Sequence, residues 1–377
     1  MKILRTLMIV SALIISAATM ATSQEEEYSN IYIFGYLQGA YVDIPKSFLG
    51  PSSSSFFLQQ ANVMAAKDFD GHFSSFLNLQ FTNGYNSALK WGTMNLEEGW
   101  VKYSYSTLFN VKAGLILPTF NSLLQVRNRT PLLPYVLRPL VYEPLVTDRI
   151  NVESFLPVRA NVEIYGTVPV SDVNLEYAFY TGNSEANFSM SGPGAGTQVS
   201  SMDTTGFKLW GGRLGLSTHW MRAGLSMTTD KENQSAYGLG AVQRYRFGAD
   251  LSLHISHVTF DGEMILVRCM MNDRQKATLA VVRDFTPLIG ENFDRYFFYG
   301  TLLYDFTEAF YGYGTYSAMR MNDFIAYSDG AVAWGFGAGW RPIETVVVKA
   351  QYIKITSPSP IYPVDVGLSL FAVSVMF

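Results

Sequence analysis

Hydrophobic and polar residues alternate along most of this chain, in stretches of roughly ten residues. The clearest stretch is 329–341, where every second position is apolar: Val332, Trp334, Phe336, Ala338 and Trp340. The positions between them are small: Ala331, Ala333, Gly335, Gly337 and Gly339. Because successive side chains of a β-strand point to opposite faces, this period of two predicts strands with one apolar face.

Two further stretches place polar groups on the second face. In one of them, the apolar positions Val173, Leu175, Tyr177 and Phe179 alternate with Asn174, Glu176, Ala178 and Tyr180. In the other, Phe109, Val111, Ala113, Leu115 and Leu117 alternate with Asn110, Lys112 and Gly114. This pattern is typical of strands that contact lipid on one side and an aqueous lumen on the other.

Reading the whole chain in this way predicts a strand in each of the segments 30–42, 56–67, 71–82, 95–106, 109–117, 160–169, 172–182, 205–218, 219–229, 241–254, 256–268, 291–305, 308–320, 329–341, 344–355 and 364–377. Short turns alternate with longer loops, as in barrels with a periplasmic and an external end. An even number of antiparallel strands lets every sheet edge pair. The predicted fold is all-β, a transmembrane antiparallel β-barrel of about 16 strands.

Composition supports a membrane-embedded sheet. Only 15% of the residues are charged, against about 25% in a soluble domain, and 15% are aromatic. Mean hydropathy is +0.11, which is too low for a bundle of membrane helices. The net charge of −4 comes without a long basic block, so nucleic-acid binding is disfavoured.

Residues 1–23 are predicted to be a secretory signal peptide. Lys2 and Arg5 give a positive start, residues 7–18 form an apolar run, and small residues follow it. The remainder, 24–377, is predicted to be a single barrel domain surrounded by the lipid of the outer membrane of a Gram-negative bacterium.

The carboxyl end carries a more specific pattern. Phe371, Val373, Val375 and Phe377 alternate up to the last residue. This resembles the C-terminal aromatic signature of bacterial outer-membrane barrels. The resemblance implies that the barrel assembly machinery recognises this strand.

The longest connection between predicted strands, residues 118–158, is here called the long loop. Six prolines stiffen it, and its many leucines require burial, so it is predicted to fold into the barrel. The candidate constriction residues are its arginines and the one just beyond it: Arg127, Arg129, Arg138, Arg149 and Arg159.

These five cations stand against three carboxylates, Glu143, Asp148 and Glu153. Guanidinium groups stay protonated and bind carboxylate or phosphate groups well, so arginines at a narrow point favour anions. The alternative is that individual arginines only anchor the loop to acidic residues of the barrel wall.

Alternation also directs charged side chains of the strands toward the lumen. The basic wall candidates are Lys102, Lys112, Arg244, Arg246, Arg295 and Lys349. The acidic ones are Glu98, Glu163, Glu176 and Asp250. The predicted lumen is mixed in charge and slightly basic.

Three segments resemble the phosphate-selective porin family: 96–103 (LEEGWVKY), 111–114 (VKAG) and 159–166 (RANVEIYG). The resemblance covers about residues 28–166 and implies a sixteen-stranded, homotrimeric porin whose third loop folds inward. The chain has no dense lysine cluster in a loop and no clear ladder of wall arginines. For this reason only the porin function, and not phosphate selectivity, is carried over.

The predicted function is passive diffusion of small hydrophilic solutes or ions, with a mild anion preference. The four histidines show no zinc-binding spacing, and Cys269 is the only cysteine, so we predict no metal and no cofactor. No histidine and serine can be placed together on the outer wall, as a barrel enzyme of the phospholipase type requires, so we predict no enzymatic activity. The alternative is an adhesin or receptor barrel that acts through the external loops 183–204 and 269–291.

Overall fold

A closed antiparallel sheet forms the body of the molecule. The computed structural model describes residues 31–44, 53–69, 71–82, 93–127, 129, 132–143, 155–157, 159–184, 207–233, 239–285, 293–321, 330–357 and 364–377. Within these ranges sixteen strands pair in sequence order, and the first strand also pairs with the last. The predicted signal peptide, residues 1–23, lies outside the described residues.

The strands are β1 Ile31–Ile44, β2 Ser53–Asp68, β3 Phe73–Thr82, β4 Thr93–Ser106, β5 Phe109–Ile116, β6 Ala160–Val170, β7 Val173–Asn183, β8 Lys208–Ser217, β9 Met221–Asn233, β10 Ala241–Ile255, β11 Val258–Met270, β12 Phe293–Asp305, β13 Phe310–Met321, β14 Ala331–Ile343, β15 Val346–Ser357 and β16 Val364–Met376. Each overlaps one predicted segment, and the ends differ by at most four residues. The predicted fold class is therefore confirmed.

The last residue of the chain closes the barrel. The Gly35 amide donates to the Phe377 carbonyl at 2.8 Å, and the Phe377 amide donates back to the Gly35 carbonyl at 3.0 Å. Phe371 and Val373 point outward, whereas Ser374 is buried inside. The C-terminal strand thus supplies both an apolar outer face and the final pair of closing hydrogen bonds.

Small residues on the inner face of β14 leave room for aromatic rings of the neighbouring strand. Phe336 points outward and is 58% exposed. On the inner face, a β-carbon added at Gly337 or Gly339 would collide with the rings of Tyr313 and Tyr311 respectively. The alternation of large and glycine residues in the sequence therefore reflects a lipid-facing side and a crowded interior.

Large apolar side chains cover the outside of the barrel, and the most exposed include Leu214, Leu225, Met264, Leu302 and Phe336. Aromatic pairs lie toward both ends: Phe310 stacks on Trp340 at 6.1 Å, and Phe179 packs on Trp210 at 5.9 Å. An apolar belt of this extent is unstable in water and fits a bilayer. No helix within the described ranges is long and apolar enough to cross a membrane.

Connections at the two ends of the barrel differ in length. Tight turns such as 171–172, 256–257 and 344–345 join strands at one end, and Ser171 and Ser256 adopt left-handed φ angles of 54° and 52° there. β1 begins and β16 ends at this same end, whereas the longer connections lie at the other. This asymmetry matches the predicted division into short periplasmic turns and longer external loops.

One external loop contains a helix that was not predicted from the sequence. Within segment 269–291 the helix Asp273–Phe285 begins after Asn272, whose side chain accepts from the Gln275 amide at 2.9 Å. The Gln275 side chain accepts from the Asn272 amide at 3.0 Å. This reciprocal capping box, followed by good helix-forming residues, is a sequence pattern that indicates the start of a helix. Of the other predicted external loop, 183–204, only residues 183 and 184 are described.

Deleting Phe377 should impair barrel assembly while export of the chain continues. The deletion removes both hydrogen bonds to Gly35 and the ring packed over that glycine. The measurement is the yield of heat-modifiable barrel in outer-membrane fractions on an unheated gel. Phe377→Ala, which retains the backbone bonds, separates the contribution of the ring. Normal barrel yield after the deletion would contradict the closing role.

Candidate pore and constriction

The long loop folds into the barrel, as predicted from its composition. The chain leaves β5 after Ile116, forms the short helix Ser122–Val126 and then a 3₁₀ turn at Leu140–Tyr142. Most of its described side chains between residues 118 and 143 are buried. The loop therefore occupies part of the barrel interior.

Apolar packing holds the loop mainly against one half of the wall, β11 to β16. The buried cluster combines the loop residues Leu124, Tyr135, Tyr142 and Phe155 with the wall residues Ile265, Phe297, Tyr299, Tyr313 and Val347. The rings of Tyr135 and Tyr313 meet edge to face at 5.5 Å. Each large apolar side chain buried in this way contributes about 1.5–3 kcal/mol. The loop consequently has one preferred position.

Glu263 on β11 is a polar anchor for the loop. Its carboxylate accepts from the Leu123 amide at 2.6 Å and from the Tyr142 hydroxyl at 2.5 Å. Burial, with the nearby Glu263 charge, raises the pKa of Tyr142 well above its ordinary value. The hydroxyl therefore remains protonated and donates to Glu263 across the physiological pH range.

Lys349 on β15 is a second anchor. Its ammonium donates to the loop carbonyls of Leu133 at 2.7 Å and Tyr135 at 3.2 Å, and to the Gln38 side chain at 3.3 Å. Gln351 lies two residues after Lys349 on β15. Its side chain accepts hydrogen bonds from the backbone amides of Val136 and Leu137 at 2.9 and 2.7 Å. Lys349 faces inward as predicted, but it binds the loop backbone and is buried.

Arg138 holds the loop together from within. It forms an ion pair with Glu143 at 3.4 Å and donates to the Arg127 carbonyl at 2.7 Å. Its side chain is 7% exposed, while that of Arg127 is half-buried. Arg138 therefore has a structural role in the loop and does not face open water, which is close to the alternative that the sequence analysis left open.

Arg129 is the exposed arginine among the described arginines of the loop. Its charge interacts with that of Glu98 on β4. Arg159, at the start of β6, is also exposed, and Arg149 lies outside the described residues. The loop thus brings a cation near a carboxylate of β4.

Three of the predicted wall cations belong to a buried ionic network near the external end. Arg244 binds Asp230 at 2.5 Å and Glu232 at 3.2 Å, Arg246 binds Asp230 at 3.3 Å, and Arg295 binds Glu232 at 3.1 Å. Every side chain in this network is at most 2% exposed. The arginines face inward as predicted, but buried carboxylates surround them.

The network brings the three arginines together with two carboxylates that the sequence analysis had left outside the barrel wall. Cations from β10 and β12 alternate with two carboxylates from β9. The prediction ended that strand at residue 229 and so left Asp230 and Glu232 in a loop. The same alternation, continued through Ser226 and Thr228, would have placed both carboxylates inside the barrel.

The opposite half of the wall, β5 to β9, faces a water-accessible cavity of about 290 Å³ beside the loop. Its charged lining is Lys112, Glu163, Glu176, Arg213 and Arg222. Lys112 pairs with Glu163 at 3.7 Å, and Arg222 pairs with Glu176 at 2.9 Å. The Arg222 side chain is 42% exposed. Hydrophilic solutes therefore find charged and polar groups along this side.

Of the remaining predicted wall residues, some lie beside this cavity and others lie beneath the long loop. Lys102 lies opposite Lys112 in the register of β4 and β5. Glu98 accepts a hydrogen bond from the Trp100 indole at 3.2 Å. Asp250 is buried and binds Arg213 at 2.7 Å. Arg213, Arg222 and Glu263 were not selected from the sequence, although all three lie on the inner face of predicted strands.

Among the described residues no group of three or more histidine, cysteine, aspartate or glutamate side chains is arranged to hold a metal ion. The charged side chains instead bind one another or the loop.

No protein-family model matches the sequence, and no curated protein matches it. Solved structures match its fold. An anion-selective porin from Comamonas acidovorans is 12% identical with a TM-score of 0.61, covering 93% of this chain and 100% of that one. The outer membrane channel DcaP of Acinetobacter baumannii is 7% identical with a TM-score of 0.58, covering 92% and 97%.

A third match is the trimer form of OmpT, an outer membrane protein of Vibrio cholerae. It is 8% identical with a TM-score of 0.56, and the alignment covers 92% of this chain and 99% of that one. At these identities the similarity establishes the fold alone, which is a closed sixteen-stranded barrel of the porin type.

Proposed function

We propose that this protein is a porin of the Gram-negative outer membrane, through which small hydrophilic solutes and ions diffuse passively. Residues 1–23 would direct export, and the C-terminal strand ending at Phe377 would be recognised by the barrel assembly machinery. The apolar belt would contact outer-membrane lipid. The test of this function is stepwise ion conductance by the purified barrel in a planar bilayer.

The observation that carries the proposal is the position of the long loop, whose apolar packing lies mainly against one half of the wall. Apolar packing and the anchors Glu263 and Lys349 hold it on β11 to β16. The cavity of about 290 Å³ and its charged lining remain on the other side, along β5 to β9. A loop that narrows a polar passage without filling it is the arrangement expected of a diffusion channel.

We further propose a mild anion preference. Arg129 and Arg159 are exposed, whereas Glu143, a carboxylate of the same loop, is buried in its pair with Arg138. Charges in a narrow, low-dielectric passage bias the sign of the permeating ion more strongly than in open water. Phosphate selectivity is not included, because Arg244, Arg246 and Arg295 are already paired with buried carboxylates.

Replacing Arg129 with glutamine should shift the reversal potential in a potassium chloride gradient toward cation selectivity. One exposed positive charge is removed from the constriction, and the shift should shrink as salt screening increases. The matched control is Arg268→Gln, which removes one charge from the outer face of β11. An unchanged reversal potential in a well-folded Arg129→Gln barrel would exclude this residue from the constriction.

A homotrimer is the oligomeric state that we propose. The outer face of β2 to β5 carries small residues, among them Ala65, Ser75, Gly99 and Ala113, around a shallow, largely apolar depression of about 560 Å³. A wall of small residues allows another barrel to approach closely. The trimer form of the Vibrio cholerae protein supports the same state.

A further inference from the structure

A row of aromatic rings crosses the inner wall between β1 and β6. Phe34 and Phe76 have ring centroids 6.4 Å apart, and Phe76 and Trp100 are 5.2 Å apart. The Lys112 ammonium then lies 5.4 Å from the Trp100 ring and 4.5 Å from the Tyr165 ring. These five residues, here called the aromatic row, run from β1 across β3, β4 and β5 to β6.

The row points into the lumen. Asn78, two residues from Phe76 on the same strand, binds the inward-facing Asn62 at 2.7 Å. Glu163, two residues from Tyr165, pairs with Lys112 across the sheet. Because side chains two apart on a strand share a face, Phe76 and Tyr165 face inward with them.

Solvent reaches these rings, in contrast to the aromatic residues on the other half of the wall. Phe34 is 38% exposed, and Phe76, Trp100 and Tyr165 are half-buried. Phe297 and Tyr313, which lie beneath the long loop, are almost fully buried. Rings under the loop have a packing role, whereas rings exposed to lumen water lower their free energy by contacting an apolar surface of a solute.

Hydrogen-bonding groups of both signs border the aromatic row. Glu98 accepts from the edge of the Trp100 indole at 3.2 Å, and Lys102 lies beside Lys112 in the sheet register. Glu163, on the far side of Lys112, is buried and also accepts from the Thr119 hydroxyl of the long loop at 2.8 Å. Two ammonium groups and two carboxylates balance, so the border suits a neutral ligand rich in hydroxyl groups more than a charged one.

From this geometry we propose that the aromatic row is a binding subsite for neutral pyranose saccharides within the pore. The proposal rests on the porin function and names a solute class for it. A pyranose ring has axial C–H groups on its faces, which the negative face of an aromatic ring attracts, and hydroxyl groups around its rim. The rings of the row would contact the faces, and Lys102, Lys112 and Glu98 would bind the rim.

The test uses the full barrel in a planar bilayer, with cellobiose as the pyranose probe and mannitol as the acyclic polyol control. Cellobiose should reduce ion conductance saturably, whereas mannitol should only lower it in proportion to viscosity. Phe76→Ala should raise the half-blocking cellobiose concentration about three- to tenfold. Phe34→Ala, which truncates a more exposed ring, should act in the same direction if Phe76→Ala folds poorly.

Phe73→Ala is the matched control, because it removes a phenylalanine from the outer face of the same strand and should leave the block unchanged. Cellobiose binding to the folded barrel in detergent, measured by calorimetry, is a second readout. Saccharide binding without conductance would overturn the porin function and retain the subsite. Conductance that responds equally to cellobiose and mannitol, without calorimetric binding, would overturn the subsite and retain the porin.

Discussion

Replacing Lys349 with methionine should loosen the long loop and give larger, noisier conductance steps. The substitution keeps the length of the side chain but removes the ammonium that binds the Leu133 and Tyr135 carbonyls. Hydrogen bonds to a buried charge are worth about 1.5–3 kcal/mol each, so the docked loop loses a substantial part of its preference. The measurement is single-channel recording in a planar bilayer, with the fraction of time in each conductance level.

Lys354→Met is the matched control for this change. Lys354 lies on the same strand but is only partly buried, and it pairs with Asp365 at 2.7 Å. Its replacement should leave the conductance levels of the parent unchanged. If Lys349→Met folded normally and also kept the parent's conductance, the ammonium would not hold the loop in place.

Replacing Asp230 with asparagine should strongly destabilise the barrel. This carboxylate is shared by Arg244 and Arg246, and its loss leaves two buried guanidinium groups without their common counter-charge. Breaking a buried pair by removing one partner costs about 3–5 kcal/mol. We expect a lower urea midpoint of unfolding and a lower temperature at which the barrel loses its fast-migrating form on a gel.

Asp294→Asn provides the comparison at the surface. Asp294 pairs with Arg268 at 3.4 Å, and the Arg268 side chain is 53% exposed. Exposed ion pairs contribute little, so the unfolding midpoint should stay near that of the parent. Equal effects of the two substitutions would mean that the buried network does not stabilise the barrel more than a surface pair does.

The strands could be predicted from the sequence because their period of two is imposed by two different environments. Lipid requires Phe336 and its outward neighbours to be apolar, while the crowded interior requires small residues such as Gly337 and Gly339. The inward fold of the long loop was equally predictable, since its leucines need burial. These are constraints that each segment satisfies by itself.

The roles of individual charged residues could not be predicted in the same way. Glu263 binds the amide of a residue 140 positions away, and the pattern of its own strand contains no information about that partner. Lys349 was expected to line open water because alternation determines only the face of the sheet. Whether an inward side chain meets water or protein depends on which half of the wall the loop covers, and that follows from tertiary packing.

Ion conductance by the purified, folded barrel in a planar bilayer tests the central claim most directly. A passage along β5 to β9 beside the anchored loop predicts discrete steps that scale with salt concentration and stay open at low voltage. Parallel samples should show heat-modifiable migration, so that folded protein is known to be present. Repeated absence of steps from folded, inserted protein would contradict the account and favour a barrel that acts through its external loops.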